Sequence, residues 1–120
     1  MNPIVIIPAR MASTRLPNKP MEQINGLPMI VQVMKRAKEA GVARVVVACD
    51  GEEIKVAVEA HGGEAVLTDP NLPSGSDRIH AALQQIDPER KHDVVINVQG
   101  DMPTIDPEVI RKAVDMMNDP

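Results

Sequence analysis

A group of cationic side chains follows the first apolar run of the chain. Arg10, Arg15 and Lys19 fall within ten residues, although the chain is acidic overall, and Ser13 adds a hydroxyl. Convergent guanidinium, ammonium and backbone N–H groups are what a di- or triphosphate requires. Neither a GxxxxGK[ST] loop nor a GxGxxG fingerprint is present. The segment therefore predicts a phosphate-binding loop of another kind, and the alternative is a solvated basic loop without a ligand.

A carboxylate follows the last apolar run, in the segment Asn97-Val98-Gln99-Gly100-Asp101. Mg²⁺ is usually held by one or two carboxylates together with substrate phosphates, so Asp101 is a candidate ligand if the cationic loop lies nearby. By itself, Asp101 would more simply be a turn residue bonded to its own backbone. Gln99 carries both amide donors and an acceptor, which suits contact with a base or a ribose.

A third candidate is the segment Ser74-Gly75-Ser76-Asp77-Arg78. We expect it to open a helix, whose first backbone N–H groups would be free to bind a ligand. Taken alone, this pattern is no more than a helix cap.

The remaining reactive side chains are interpreted as structural. His61, His80 and His92 are too scattered to form a metal cluster, and helical spacing places His61 on an apolar stripe. Cys49 is expected to be a small buried residue at a strand end.

Composition limits the classes of protein to which the chain can belong. Its 120 residues fit a single domain, and 13 Lys and Arg against 17 Asp and Glu leave a net charge of −4. An acidic chain without any Phe, Trp or Tyr is a poor candidate for binding nucleic acid. No apolar run approaches the length of a membrane span, no signal-peptide core is visible, and the single cysteine excludes an internal disulfide. We expect a cytoplasmic protein.

Alternating strands and helices must position these candidates. The runs at 4–7, 45–48, 65–67 and 94–96 are short, β-branched and continuous, which is typical of strands covered on both faces. Apolar residues at i, i+3, i+4 and i+7 predict helices starting near Ile30, Ile54, Ile79 and Ile110. Pro28 is expected in the first helical turn. The expected caps are Asp50 for the second helix, Ser74 or Ser76 for the third, and Asp106 for the fourth.

This alternation predicts a Rossmann-like, three-layer α/β/α fold with a mostly parallel sheet. The long segment from Pro8 to Leu27 leaves the carboxyl end of the first strand, where open α/β sheets bind their ligands. The fold should therefore gather the candidate residues at one edge of the sheet.

The motifs IIPARMASTRLPNKP, ING-PMI, SGSDR and NVQGD occur in this order and together resemble the 3-deoxy-D-manno-octulosonate (Kdo) cytidylyltransferase family. The resemblance implies a nucleotidyltransferase that uses Mg²⁺ to convert CTP and Kdo into CMP-Kdo and pyrophosphate. The product would supply activated Kdo for lipopolysaccharide. A CMP-sialic acid synthetase-like enzyme is the alternative within the same class, and the intact ASTRLP run favours Kdo.

The resemblance also assigns roles to residues. Arg10 and Lys19 would hold the triphosphate with help from Ser13 and Arg15, and Asp101 would bind Mg²⁺. Arg10, Lys19 and Asp101 are thus the catalytic candidates. The cytidine would be surrounded by Ala9, Ser74, Gly75, Arg78 and Gln99, and Gly100 would also bind CTP. The chain differs from the common family pattern at Met11 and Met102, neither of which carries the chemistry.

Family members are roughly twice as long as this chain, and the resemblance places their Kdo pocket in the half that has no counterpart here. Residues 1–120 would then be the CTP-binding half of a cytidylyltransferase, which is expected to be a homodimer in its full-length form. The alternative from another class is a non-catalytic nucleotide-binding half-domain.

Overall fold

The computed structural model describes residues 3–9, 23–24, 26–41, 43–69, 75–89, 91–92, 94–98 and 106–118. The strands are β1 (Pro3–Ala9), β2 (Gln23–Ile24), β3 (Leu27–Pro28), β4 (Arg44–Cys49), β5 (Glu64–Leu67) and β6 (Val94–Asn97). The helices are α1 (Met29–Ala40), α2 (Glu52–Ala60), α3 (Gly75–Ile86) and α4 (Pro107–Asn118).

Four of the strands form one parallel sheet in the order β5-β4-β1-β6. Strand β1 lies inside the sheet, and its register pairs Val5 with Val45 and with Ile96. The four predicted strands and their parallel arrangement are confirmed. All four carboxyl ends consequently lie at one edge of the sheet, which we call the carboxyl edge.

Both faces of this sheet are covered, because alternate residues of β1 enter different core clusters. Val5 and Ile7 pack with side chains of α1, α2 and α4, whereas Ile4 and Ile6 pack with α3. Burial on both faces explains why the strands are continuous apolar runs. The three-layer α/β/α prediction is confirmed.

A small antiparallel hairpin was not predicted. Strands β2 and β3 pair around Gly26, whose φ of +84° is a left-handed conformation that glycine adopts without strain. The hairpin occupies the end of the segment that was expected to be a loop from Pro8 to Leu27. The start of that segment also differs, because β1 continues through Pro8 to Ala9.

The helix ends agree with the predictions in part. Asp106 caps α4 as expected, with its Oδ1 accepting a hydrogen bond from the backbone N–H of Glu108 at 2.9 Å. The expected cap of α2 is wrong: Gly51, in an extended conformation, occupies the N-cap position instead of Asp50. Strand β4 runs to Cys49, so Asp50 lies one residue too early to cap the helix.

The other two helix starts also differ slightly from expectation. Pro28 is the N-cap of α1 rather than part of its first turn. Ser76 lies inside α3, which begins at Gly75, so it is not the cap; Ser74 lies outside the described residues.

The core is filled without aromatic rings. Met34 is fully buried beneath α2, and a Cβ added at Gly63 would lie only 2.8 Å from the Met34 Cε and 2.7 Å from a methyl of Val58. The flexible thioether of methionine can fill an irregular space of this kind, and methionine thereby takes the place of aromatic side chains in this core. In the part of the chain that the structure describes, no helix has the length and apolar character needed to cross a membrane.

Candidate functional site

Residues from several chain segments meet at the carboxyl edge. Ala9 ends β1 and pairs in register with Cys49, which ends β4. Thr68 lies just beyond β5, and its backbone N–H donates to the Cys49 carbonyl at 2.7 Å. Val98 lies just beyond β6, and its backbone N–H donates to the Ile6 carbonyl at 3.2 Å. The ends of the parallel strands are thus held side by side, as the predicted ligand site requires.

A buried polar cluster joins this edge to the start of α3. Arg78, in the first turn of that helix, is 0% exposed. Its Nη1 donates to the Thr68 hydroxyl and, at 3.2 Å, to the Asp69 carbonyl. The Thr68 hydroxyl donates in turn to the Cys49 carbonyl at 3.0 Å. We call Cys49, Thr68, Asp69 and Arg78 the edge cluster.

The edge cluster places a cation beneath the expected ligand site. A guanidinium stays protonated in proteins, and burying it is costly unless hydrogen bonds satisfy it. The bonds to Thr68 and Asp69 contribute to that requirement. The fold therefore holds a guanidinium at the carboxyl edge.

Cys49 is not a nucleophile in this cluster. Burial raises the pKa of its thiol to about 11, and the nearby positive charge of Arg78 offsets this effect only in part. The Sγ donates to the Val66 carbonyl at 3.4 Å. A fully buried, protonated thiol is unreactive, which confirms the interpretation of Cys49 as a small buried residue.

Three of the predicted site residues are described, and each lies at the carboxyl edge. Ala9 is 4% exposed at the end of β1, Gly75 is the first residue of α3, and Arg78 lies in the edge cluster. Eight other candidates lie outside the described residues: Arg10, Ser13, Arg15, Lys19, Ser74, Gln99, Gly100 and Asp101. Three of these candidates directly adjoin described residues of the carboxyl edge: Arg10 follows Ala9, Ser74 precedes Gly75, and Gln99 follows Val98.

The histidines lie elsewhere. His61 follows α2 and is exposed, with its Nδ1 2.9 Å from the Ala57 carbonyl, so its expected place on an apolar stripe is wrong. The helix ends one residue before it, which turns its side chain to solvent. A cavity of about 570 Å³ at the opposite, amino edge of the sheet is lined by His80, Leu83, Gln84, Asp87, Pro88 and His92. Among the described residues, no group of His, Cys, Asp and Glu side chains could hold a metal ion.

The sequence did not predict the hydrogen bonds of two residues, Thr68 at the carboxyl edge and Arg111 at the far end of α1. Thr68 directly follows the third apolar run, so the strand-end rule that selected Asp101 could also have found it. Arg111 reaches from α4 to the last carbonyls of α1, donating to Ala40 at 2.9 Å and Glu39 at 3.0 Å. No local sequence signal identifies such a long-range contact.

Comparison with known proteins gives consistent similarities. A family model described as Cytidylyltransferase matches residues 4–120. The chain is 62% identical over 116 residues to the 3-deoxy-manno-octulosonate cytidylyltransferase of Parvibaculum lavamentivorans, covering 97% of this chain and 45% of that protein. It is also 62% identical over 113 residues to the enzyme of the same name from Rhodospirillum rubrum, covering 94% of this chain and 45% of that protein.

The fold is similar to that of a solved structure of CMP:2-keto-3-deoxy-manno-octonic acid synthetase complexed with CTP. The TM-score is 0.90 at 40% identity, and the match covers 99% of this chain and 48% of that one. The chain therefore spans about half the length of the relatives that it matches.

Proposed function

The chain belongs to the cytidylyltransferase family, and we propose that it forms the CTP-binding half of an enzyme that makes CMP-Kdo from CTP and Kdo. The observation that carries this proposal is the 0.90 TM-score, over 99% of the chain, to a synthetase complexed with CTP. The geometry of the carboxyl edge supports it, because the ends of β1 and β6, which precede Arg10 and Gln99, lie there together with the start of α3.

The proposed reaction is an in-line transfer. A hydroxyl oxygen of Kdo attacks the α-phosphorus of CTP and forms a new P–O bond. The bond from that phosphorus to the oxygen that bridges it to the β-phosphate breaks, pyrophosphate leaves, and the hydroxyl proton passes to solvent water. Such catalysis depends on positioning and on charge stabilisation, which explains why a protein nucleophile is not required.

The cationic loop supplies the charge in this proposal. Arg10 and Lys19 bind the β- and γ-phosphates and the departing pyrophosphate, with Ser13 and Arg15 assisting. Guanidinium and ammonium groups form charge-assisted hydrogen bonds with phosphate oxygens, and these bonds strengthen as negative charge builds on the leaving group.

Asp101 fits the role of a Mg²⁺ ligand by its chemistry and its place in the chain. A carboxylate oxygen is a ligand that Mg²⁺ prefers, and Val98, shortly before Asp101, lies at the carboxyl edge. When bound, the ion would neutralise charge on the phosphates.

The nucleoside end of CTP is also assigned to the carboxyl edge. Ala9, Ser74, Gly75, Arg78 and Gln99 surround the cytidine in this proposal, and Gly100 also binds CTP. Arg78 supports the assignment because it is held at this edge by the edge cluster. A buried, oriented guanidinium can read acceptor atoms of a base better than a mobile surface side chain can.

Several finer features belong to the same proposal. We propose that the enzyme acts in the cytoplasm, supplies Kdo for lipopolysaccharide, and is a homodimer in its full-length form. The rival function is a non-catalytic nucleotide-binding half-domain.

The experiment combines a CTP titration with a product assay. The 120-residue chain is titrated with CTP and with UTP in the presence of Mg²⁺, and pyrophosphate and CMP-Kdo are then measured with and without Kdo. We expect weak binding that prefers CTP, and no CMP-Kdo. The acceptor is not held beside the α-phosphorus in the CTP-binding half, so the proximity advantage of about 7–11 kcal/mol is largely lost.

The two possible failures have different meanings. Absence of CTP binding would contradict the assignment of this chain as the CTP-binding half. CMP-Kdo formation by the purified chain would show instead that residues 1–120 contain the acceptor site.

A further inference from the structure

Thr68 occupies the centre of the edge cluster. It is 8% exposed and makes three hydrogen bonds: its N–H and its hydroxyl both donate to the Cys49 carbonyl, and its hydroxyl accepts from Arg78 Nη1. A hydroxyl has one proton and two lone pairs. Because the proton is directed to Cys49, a lone pair is left to face the guanidinium.

This arrangement makes the Thr68 hydroxyl a fixed acceptor for a cation. The carbonyl of Cys49 is itself held by the parallel pairing of β4 with β5, so the hydroxyl is anchored to the sheet. Arg78 belongs to α3, which packs on one face of that sheet through Ile79 and Ala82. The bond from Arg78 to Thr68 therefore fixes the guanidinium relative to the strand ends.

We infer that Thr68 is a positioning residue for nucleoside recognition: it orients the Arg78 guanidinium at the carboxyl edge. This inference rests on the proposed function, in which Arg78 contacts the cytidine. Thr68 itself does not touch the ligand. Its removal should weaken ligands that contain cytidine, while the cationic loop continues to bind phosphate groups.

The test is a comparison of two substitutions in the 120-residue chain. Thr68→Val replaces the hydroxyl by a methyl group and keeps the backbone bond to Cys49. Thr68→Ser keeps the hydroxyl and removes the methyl group. Binding of CTP, CMP and pyrophosphate is measured by calorimetry, and the melting temperature is recorded for each variant.

We expect Thr68→Val to weaken CTP and CMP by about tenfold each, the effect of losing one oriented charge-assisted hydrogen bond. Pyrophosphate affinity should stay within about twofold of the wild type. Thr68→Ser should restore CMP affinity. If Thr68→Val does not fold, Thr68→Ala removes the same hydroxyl and should give the same selective loss.

Val66→Ala is the matched control for loosening of β5. Val66 lies two residues before Thr68, is partly buried and packs against the core cluster under α3. Its truncation should lower the melting temperature and leave CMP affinity unchanged.

Three results would overturn the inference. The first is that Thr68→Val binds CMP with wild-type affinity, and the second is that Thr68→Ser loses as much CMP affinity as Thr68→Val does. The third is that Thr68→Val loses affinity for pyrophosphate as much as for CMP. If the wild-type chain binds neither CTP nor CMP, the proposed function itself fails. That result is seen before any variant is compared.

Discussion

Replacing Arg111 with methionine should loosen the junction between α4 and α1. The guanidinium donates to the carbonyls of Ala40 and Glu39, which end α1, and to the carboxylate of Glu108. The last carbonyls of a helix have no partners within the helix, and a cation there is favoured by the helix dipole. Arg111 therefore caps α1 from a different helix.

The expected loss in the free energy of unfolding follows from the number of hydrogen bonds that Arg111 makes and from their exposure to water. Charge-assisted hydrogen bonds contribute about 1.5–3 kcal/mol each when they are shielded from water. The Arg111 side chain is 41% exposed, so water replaces part of what is lost, and the exposed ion pair with Glu108 adds little. We expect Arg111→Met to lower the free energy of unfolding by about 1–2 kcal/mol.

The assay is urea unfolding followed by far-ultraviolet circular dichroism, since the chain has no aromatic residue to report by fluorescence. Methionine keeps an unbranched apolar stem, so mainly the hydrogen bonds and the charge are lost. Lys112→Met is the matched control, because Lys112 is the exposed neighbour and a similar charge is removed. That control should stay within about 0.5 kcal/mol of the wild type. Equal losses in the two variants would refute the capping role of Arg111.

Three further predictions concern charge and reactivity. Arg10→Ala and Lys19→Ala should each weaken the binding of CTP and CDP by about tenfold or more and that of cytidine much less, because their proposed role is to bind phosphate. Equal losses of affinity for all three ligands in calorimetry would exclude that role. The bidentate hydrogen bond from Arg44 lowers the pKa of Glu64 in the folded chain. The ionised Glu64 therefore stabilises the fold above the ordinary glutamate pKa of about 4.3, and this stabilisation is lost as the pH falls through the lowered pKa. The stability difference between the wild type and Glu64→Gln should therefore disappear in acid, and a constant difference from neutral pH to pH ~3 would contradict this. Cys49, with a thiol pKa of about 11 and no exposure, should react with iodoacetamide at pH ~8 far more slowly in the folded chain than in urea, and equal rates would contradict its burial.

The strands and the fold class could be predicted because burial of a strand on both faces requires a continuous run of apolar residues in the sequence. Ile4–Ile7 is continuous and β-branched, which is the pattern typical of a strand inside a sheet covered on both faces. The distribution of helices between the two faces could not be predicted in this way. An amphipathic helix has the same periodicity on either face, so nothing local separates α3 from the other helices.

Site residues could be predicted where a chemically suitable side chain directly follows a strand. They could be predicted less well where contacts between distant parts of the chain determine how a side chain is held. Arg78 was selected with its motif, but its complete burial and its bond to Thr68 depend on how α3 packs on the sheet. Arg111 contacts a carbonyl 71 residues away in sequence, and no spacing rule reaches that far. The hairpin of β2 and β3 was missed because two-residue strands carry no periodicity.

We propose that this chain binds CTP at the carboxyl edge and that Asp101 holds the metal ion. Calorimetric titration of the wild type and of Asp101→Asn with CTP, each with Mg²⁺ and with EDTA, tests it most directly. We predict that Mg²⁺ strengthens CTP binding to the wild type and has little effect on Asp101→Asn, while the melting temperatures of the two proteins agree. Removing a charged ligand from a hard-cation site should cost more than removing a turn residue. An equal Mg²⁺ effect in both proteins, at equal melting temperatures, would contradict the account.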